Sequence, residues 1–310
     1  MPIVVAGSSG LVGSAIMRAY EAAGVKVVGI NRATVDLRDE LATKKFISQV
    51  KPTIIIDAAG RVGGINGNNS YPVEFLVENI QIQNNLMGAA HDAQVEKFVF
   101  LGSSCIYPRD CQQPIKEDYL LTGPLEPTNS AYAIAKITGI ELINSYRKEF
   151  GYKWISLMPT NLYGPRDNFN LEGSHVLPAL IRKFVEATDS NRQSVELWGT
   201  GKPLREFLHV EDMSRAVLKM ANEYDSEIHL NIGSGVEISI KKLAHKVAAA
   251  AGFTGQINWN SQYPDGMPRK VLDSSRINAL GWKPKISLDQ GIESTIAWYR
   301  SALAQGGVRK

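Results

Sequence analysis

The sequence predicts an α/β fold, a doubly wound parallel sheet with a smaller α/β C-terminal lobe. Three observations carry this. Short unbroken apolar runs alternate with segments of helical period through the first half of the chain. The glycine-rich stretch "GSSGLVG" joins the first apolar run to the first helical segment. After about Pro165 the alternation gives way to "RDNFNLEGSH", which is polar and irregular.

Each element has its own signal. "PIVVAG" (Pro2 to Gly7) is an apolar run ended by glycine, as a strand buried on both faces would be. "SAIMRAYEAAG" (Ser14 to Gly24) has helical period and stops at glycine. "KVVGIN" is the second strand, "ELATKKFISQVKP" a helix ended by Pro52, and "TIIIDAA" the third strand. The long helix Val73 to Gln94 leads into "KFVFLGSS", the fourth strand. A second long helix, Ser130 to Gly151, leads into "KWISLMPTNLYGP", read as a fifth strand running into a loop. Beyond it, "VLPALIRKFVEAT" is helical, the next segment to Glu223 mixes one strand, a glycine turn and a helix, and "IHLNIGSG" returns a strand to the first sheet. Two helices around a turn-rich middle complete the chain. Residues 1–164 are expected to form a cofactor-binding Rossmann domain to which 203–234 return, and 165–202 with 235–310 the substrate-binding lobe.

Composition narrows the function. The chain has 310 residues, 44% hydrophobic and 21% charged, with a net charge of +3 and no run of five or six like charges. Nucleic-acid binding has no electrostatic support at that balance. Two cysteines, Cys105 and Cys111, make no disulfide framework and point to a reducing compartment. No stretch of about 18 apolar residues is present, so no transmembrane helix is expected. The N-terminus enters a strand directly, without a basic region or a small-residue cleavage site, so no signal peptide is expected and the location is read as cytoplasmic.

Gly7, Gly10 and Gly13 lie between a strand and a helix, with Ser8, Ser9, Leu11 and Val12 between them. Glycines there allow a tight turn and close approach of a pyrophosphate, and the helix N-terminus adds N–H donors. The second strand ends in "INRATVDLRD", with no acid at its end and Arg32 just after it. An arginine there suits a 2′-phosphate, so NADP(H) is expected over NAD; a solvated surface arginine is the competing reading. Ser8 and Ser9 are candidate hydroxyl donors, and Asp36 and Leu37 either frame an adenine or cap the next helix.

"YAIAK" puts Tyr132 and Lys136 four apart on one helix face. A cationic lysine there is expected to stabilise the phenolate, letting Tyr132 exchange a proton with a carbinol oxygen. Ser103, at the end of the fourth strand, adds a third polar group.

In order and spacing, "GSSGLVG", "DAAG", "SSCIYP" and "YAIAK" resemble the extended short-chain dehydrogenase/reductase family. "VGGINGNNSYP", "LEPTNSAYAIAK", "MPTNLYGPRDNFN", "SHVLPAL", "WGTGKPLREFLHVEDM" and "PDGMPRKVLD" resemble its GDP-L-fucose synthase branch, over about Val4 to Tyr299. That resemblance implies an NADPH-dependent enzyme that inverts carbons 3 and 5 of a GDP-linked 4-keto-6-deoxy sugar and then reduces carbon 4. It implies Cys105 as the base and His175 as the acid of the epimerisation, and Ser103, Tyr132 and Lys136 as the reductive group. Lys136, Pro159 and His175 would also touch the cofactor. Without the resemblance, Cys105 reads as a small buried hydrophobe and His175 as a helix cap.

Arg205 is the best diphosphate candidate, with Lys183 and Lys270 behind it. The family tends to carry arginine where Lys183 stands, and a lysine keeps the charge but loses the fork. Trp198 is either a pocket wall or a core tryptophan, and Asn161 is a candidate for positioning the sugar. No metal site is expected. Relatives act on other GDP-linked 4-keto sugars, heptoses included, so the sugar stays open. A non-catalytic NADP-binding regulator is a further alternative, expected to lack Tyr132 or Lys136, and both are present. The resemblance also implies a homodimer in which the two long helices pair with their copies.

Overall fold

Four apolar residues form β1 (Ile3–Ala6), and the glycine loop feeds α1 (Leu11–Ala22). There follow β2 (Val27–Ile30), α2 (Glu40–Val50), β3 (Ile54–Asp57), the short α3 (Ile65–Ser70), the long α4 (Pro72–Asp92) and β4 (Lys97–Leu101). The second long helix α5 (Ser130–Phe150) leads to β5 (Ile155–Pro159) and β6 (Asn161–Tyr163). The rest comprises α6 (Val176–Asp189), β7 (Ser194–Trp198), β8 (Leu204–His209), α7 (Val210–Glu223), β9 (Leu230–Ile232), β10 (Glu237–Ser239) and α8 (Ile240–Ala251). Then come β11 (Gln256–Asn260), β12 (Arg269–Lys270), α9 (Ser275–Ala279) and α10 (Leu288–Ala304). The structure is a computed structural model that describes residues 2–263 and 265–309.

Local chemistry sets the helix ends. Asp39 caps α2, its side chain accepting from the Ala42 N–H at 3.0 Å. Asp36 is not that cap; its carboxylate turns back to Arg38 at 2.9 Å. Gly151 and Gly252 end α5 and α8 in the left-handed conformation.

Six strands form one sheet in the order β2-β1-β3-β4-β5-β9, every neighbouring pair parallel. Alternate residues face opposite layers, as strand geometry requires. Val4, Ala6, Ile55, Phe98 and Phe100 pack against residues of α2, α4 and α5. Ile3, Val5, Ile56, Val99 and Leu101 pack against α1, α7 and α9. The chain leaves β1 for β2 on one side and then crosses to β3 on the other. The crevice at the carboxyl ends of β1 and β3 is therefore the place where a ligand lies in such sheets.

A separate core gathers α6, α8 and α10 around β7 and β8. There β8 pairs with β6, β10 and β12, while β7 pairs with β11. The fifth apolar run is two strands, not a strand and a loop. It switches sheets at Thr160, whose N–H bonds the Ile232 carbonyl before Asn161 takes up pairing with Phe207. The segment before Glu223 likewise holds two strands, β7 and β8, where one was expected. Of residues 203–234, expected to return to the first sheet, β9 and α7 do so, whereas β8 lies in the second. The turn-rich middle between α8 and α10 contains β11, β12 and α9, too short for any period to show.

Candidate active site

The glycine loop is built around contacts that exclude side chains. Gly7 has φ +77°, and a Cβ on it would lie 2.6 Å from the Ala58 carbonyl oxygen after β3. A Cβ on Gly13 would overlap the Gly7 carbonyl. Gly10 is the N-cap of α1 and offers no side chain, so the first N–H groups of the helix, at Leu11 and Val12, are left for a ligand. A dinucleotide pyrophosphate fits this cradle. Ser8 is committed elsewhere: its hydroxyl donates to the Ile30 carbonyl at 3.1 Å, tying the loop to β2. Ser9 is exposed.

Arg32 stands exposed beyond β2, its guanidinium 3.3 Å from the Glu78 carboxylate. Arg38, which the sequence did not single out, approaches the same carboxylate at 3.8 Å. Leu37 is buried in the core. Arg38 holds the Asp36 carboxyl down to about 2.

The carboxyl end of β4 brings the chemical groups together. Ser103 caps a one-turn 3-10 helix, its Oγ accepting from the Cys105 N–H at 3.2 Å, and its side chain faces the Tyr132 hydroxyl. Tyr132 is buried. Burial raises its phenol well above the ordinary tyrosine value, the nearby Cys105 adds to this, and the Ser103 side chain opposes it. The expected stabilisation of a phenolate by Lys136 is not what the geometry shows. The Lys136 ammonium is buried, donates to the Leu101 carbonyl at 3.0 Å, and sits 6.0 Å from the Tyr132 ring centre. Its charge meets Asp57, at the end of β3, whose carboxyl is pushed up to about 6 by burial and held back by Lys136. Pro159 is the buried last residue of β5.

Cys105 is partly exposed, and two side-chain donors face its sulfur: Asn129 Nδ2 at 3.4 Å and Lys270 Nζ at 3.6 Å. His175 is the N-cap of α6 but makes no capping bond. It is exposed, yet the protein around its ring and the Lys270 charge hold its imidazole below the ordinary histidine range. The loop carrying it is pinned at Gly64, whose N–H bonds the Gly173 carbonyl at 2.9 Å and whose Cβ, if present, would lie 2.6 Å from the Ser174 carbonyl oxygen. Lys270, expected at a diphosphate, thus sits beside Cys105 and acts on His175. Asn129 was missed, although it lies three residues before Tyr132 in the quoted "LEPTNSAYAIAK".

The other predicted contacts lie along β7 and β8. Arg205 is half-buried, and burial lowers its guanidinium, with Asp265 opposing. Lys183 Nζ donates to the Glu196 carbonyl at 2.9 Å and lies 5.5 Å over the Trp198 ring. Trp198 is 46% exposed, which removes the core reading. Its ring stacks on Tyr263, with centres 4.3 Å apart. Asp265 clamps the turn after Trp198, accepting from the Thr200 N–H at 2.7 Å and hydroxyl at 2.6 Å. Asp265 lies in the quoted "PDGMPRKVLD" without having been singled out, and Tyr263, just before that segment, gave no signal in sequence. The Asn161 amide donates to the Glu206 carbonyl at 2.9 Å and so holds the sheet together. Among the described residues no group of three or more His, Cys, Asp or Glu side chains is placed to hold a metal ion. No helix there is long and apolar enough to cross a membrane.

Comparison with known proteins agrees with this geometry. Residues 3–233 match the model of the NAD dependent epimerase/dehydratase family. GDP-L-fucose synthase 1 of Arabidopsis thaliana is 50% identical over 298 residues, 96% of this chain and 92% of that protein. The crystal structure of a GDP-L-fucose synthetase from Naegleria fowleri bound to NADP is 30% identical, with a TM-score of 0.92 over 100% of this chain and 96% of that one. A GDP-6-OMe-4-keto-L-xylo-heptose reductase from C. jejuni is 33% identical, with a TM-score of 0.91 over 97% of each chain. A glycine cradle, a serine, tyrosine and lysine at the sheet end and a match over three quarters of the sequence make this chain a member of the NAD dependent epimerase/dehydratase family.

Proposed function

We propose that the chain converts GDP-4-keto-6-deoxy-D-mannose to GDP-L-fucose, inverting carbons 3 and 5 and then reducing carbon 4 with NADPH. One observation carries the reading: Cys105, with two donors on its sulfur, adjoins the Ser103–Tyr132 pair. A plain reductase needs only the second group.

A ketone at carbon 4 acidifies the hydrogens on carbons 3 and 5. The Cys105 thiolate removes one, and the electron pair of the C–H bond moves onto the carbon 4 oxygen as an enolate. His175 returns a proton to the opposite face. Its resting imidazole is neutral, so it must gain a proton before it serves as the acid. For the reduction, burial keeps Tyr132 a protonated phenol, which is the form that donates to the carbon 4 oxygen. Ser103 orients that hydroxyl, and Lys136 lies on the same helix face with its Nζ 6.0 Å from the Tyr132 ring centre. Bound along the cradle, NADPH supplies the hydride. Gly7, Gly10 and Gly13 would hold its pyrophosphate and Arg32 its 2′-phosphate. Arg205 and Lys183 would receive the GDP diphosphate, and the exposed Trp198–Tyr263 pair the guanine. In this reading residues 1–164 with 203–234 serve the cofactor and 165–202 with 235–310 the sugar nucleotide. The molecule would be a homodimer through α4 and α5, which expose Val73, Val77, Ile134 and Phe150.

Incubation with GDP-4-keto-6-deoxy-D-mannose and either NADPH or NADH, with NMR of the product, tests the reading. GDP-L-fucose, formed faster with NADPH, is expected. Turnover of a GDP-4-keto-heptose alone would replace the substrate, and no turnover of either would remove the activity.

A further inference from the structure

We infer that Lys270 is a positioning residue for the Cys105 sulfur, an assignment that rests on the epimerase reading above. Lys270 lies 165 residues from Cys105 and reaches it from β12, a strand of two residues. That strand pairs with β8 in parallel, and its register sets Lys270 opposite Arg205. Register partners point to the same side of a sheet. The ladder that presents Arg205 for a phosphate therefore presents Lys270 for the thiol.

Asn129 shows that the sulfur is a deliberate acceptor. As the N-cap of α5 it makes no capping bond, and its Oδ1 is buried with no partner. Leaving a buried amide oxygen unpaired costs free energy. The side chain carries that cost with its Nδ2 turned to Cys105.

The other titratable groups are Tyr132 from α5, which faces the sulfur, and His175 from the start of α6 and Cys111, which face Lys270. At pH 7 burial keeps the Tyr132 phenol protonated, and the protein around its ring together with the Lys270 charge keeps the His175 imidazole neutral. Burial lowers the Lys136 amine, which Asp57 opposes, and that amine is held by the Leu101 carbonyl. Lys270 is thus the cation whose ammonium faces the thiol. The ammonium 3.6 Å from the sulfur stands where negative charge sits when that sulfur takes a proton from carbon. When the C–H bond breaks, the proton goes to sulfur and its electron pair to the enolate. The ammonium keeps its three protons throughout and acts by charge and position alone.

Alkylation tests this without substrate. In a Cys111→Ser background, which removes the second thiol, iodoacetamide labelling of Cys105 at pH 7 is followed by mass spectrometry. Lys270→Met is expected to slow labelling about tenfold, and Lys270→Arg to keep it within about threefold of the parent. Deuterium entry at carbons 3 and 5 from deuterated water should fall in step with labelling. NADPH affinity should be unchanged, which reports that the variants fold. Unchanged labelling in Lys270→Met, with a raised KM for GDP-4-keto-6-deoxy-D-mannose instead, overturns the assignment and returns the lysine to the diphosphate. Absence of deuterium entry in the parent enzyme would overturn the epimerase reading beneath it, an outcome that leaves the labelling contrast intact.

Discussion

At the scale of single residues, burial decides more than partners do. His209 illustrates it. The residue is buried at the N-terminus of α7, its Nδ1 accepting from the Glu211 N–H at 3.3 Å, and burial pulls its imidazole down to about 4. A histidine held neutral contributes stability above its unfolded value near 6.5 and loses it as pH falls toward 4. Asp57 and Asp167 act with the opposite sign, because burial raises them to about 6 and about 7 and the fold then binds their protons more tightly as pH drops. The wild-type profile is therefore a sum of opposed slopes. His209→Asn isolates one of them, since asparagine keeps the cap and does not titrate. Urea midpoints should show wild type losing on the order of 2 kcal/mol relative to His209→Asn between pH 7 and about pH 4.5. Parallel profiles would mean that His209 is protonated in the folded state. The same rule corrects the reading of Tyr132. The four-residue spacing to Lys136 was legible, but the sign of the effect on the phenol was not, because spacing says nothing of burial or of the Leu101 carbonyl that occupies the ammonium.

At the scale of elements, α5 carries the reductive group on one face and its packing on the same face. Tyr132, Lys136 and Gly139 are one turn apart in succession. A Cβ at Gly139 would overlap the Phe100 ring of β4, the strand that delivers Ser103. Gly139→Ala should cost about 1–3 kcal/mol, seen as a lower Tm, and should lower kcat by lifting Tyr132 away from Ser103. An alanine variant with wild-type Tm and kcat would show that the helix and strand have room to part. Elements with a full apolar period, such as β1, β4, α4 and α5, were legible in the sequence. So were the residues placed at their ends, Gly7, Ser103 and Tyr132. What stayed hidden arrives on elements without a period. β12 is two residues long and carries Lys270, and Tyr263 lies in a turn. Their contacts with Cys105 and Trp198 depend on sheet pairing across the chain, which no local pattern reports.

At the scale of the whole molecule, two cores divide the labour. In the proposed reading the glycine cradle and Ser103 lie at the end of one sheet, and the second sheet carries Arg205 and Lys270. Exposed apolar residues on α4 and α5 leave a face for a second copy. Light scattering should give about 68 kDa, twice the 34.0 kDa chain, and Val77→Lys with Ile134→Lys should halve it. A monomeric wild type would remove the dimer from the account.

The central claim is that one site both moves protons on carbon and delivers hydride to it. The most direct measurement is incubation of GDP-4-keto-6-deoxy-D-mannose with NADPH in deuterated water, for wild type and Cys105→Ser, following NADPH absorbance and the product by NMR. The account predicts deuterium at carbons 3 and 5 with stoichiometric NADPH oxidation in wild type. It predicts at least a hundredfold less deuterium in Cys105→Ser with NADPH affinity intact. NADPH oxidation by wild type without deuterium at those carbons would contradict it, leaving a simple reductase in which Cys105 is packing.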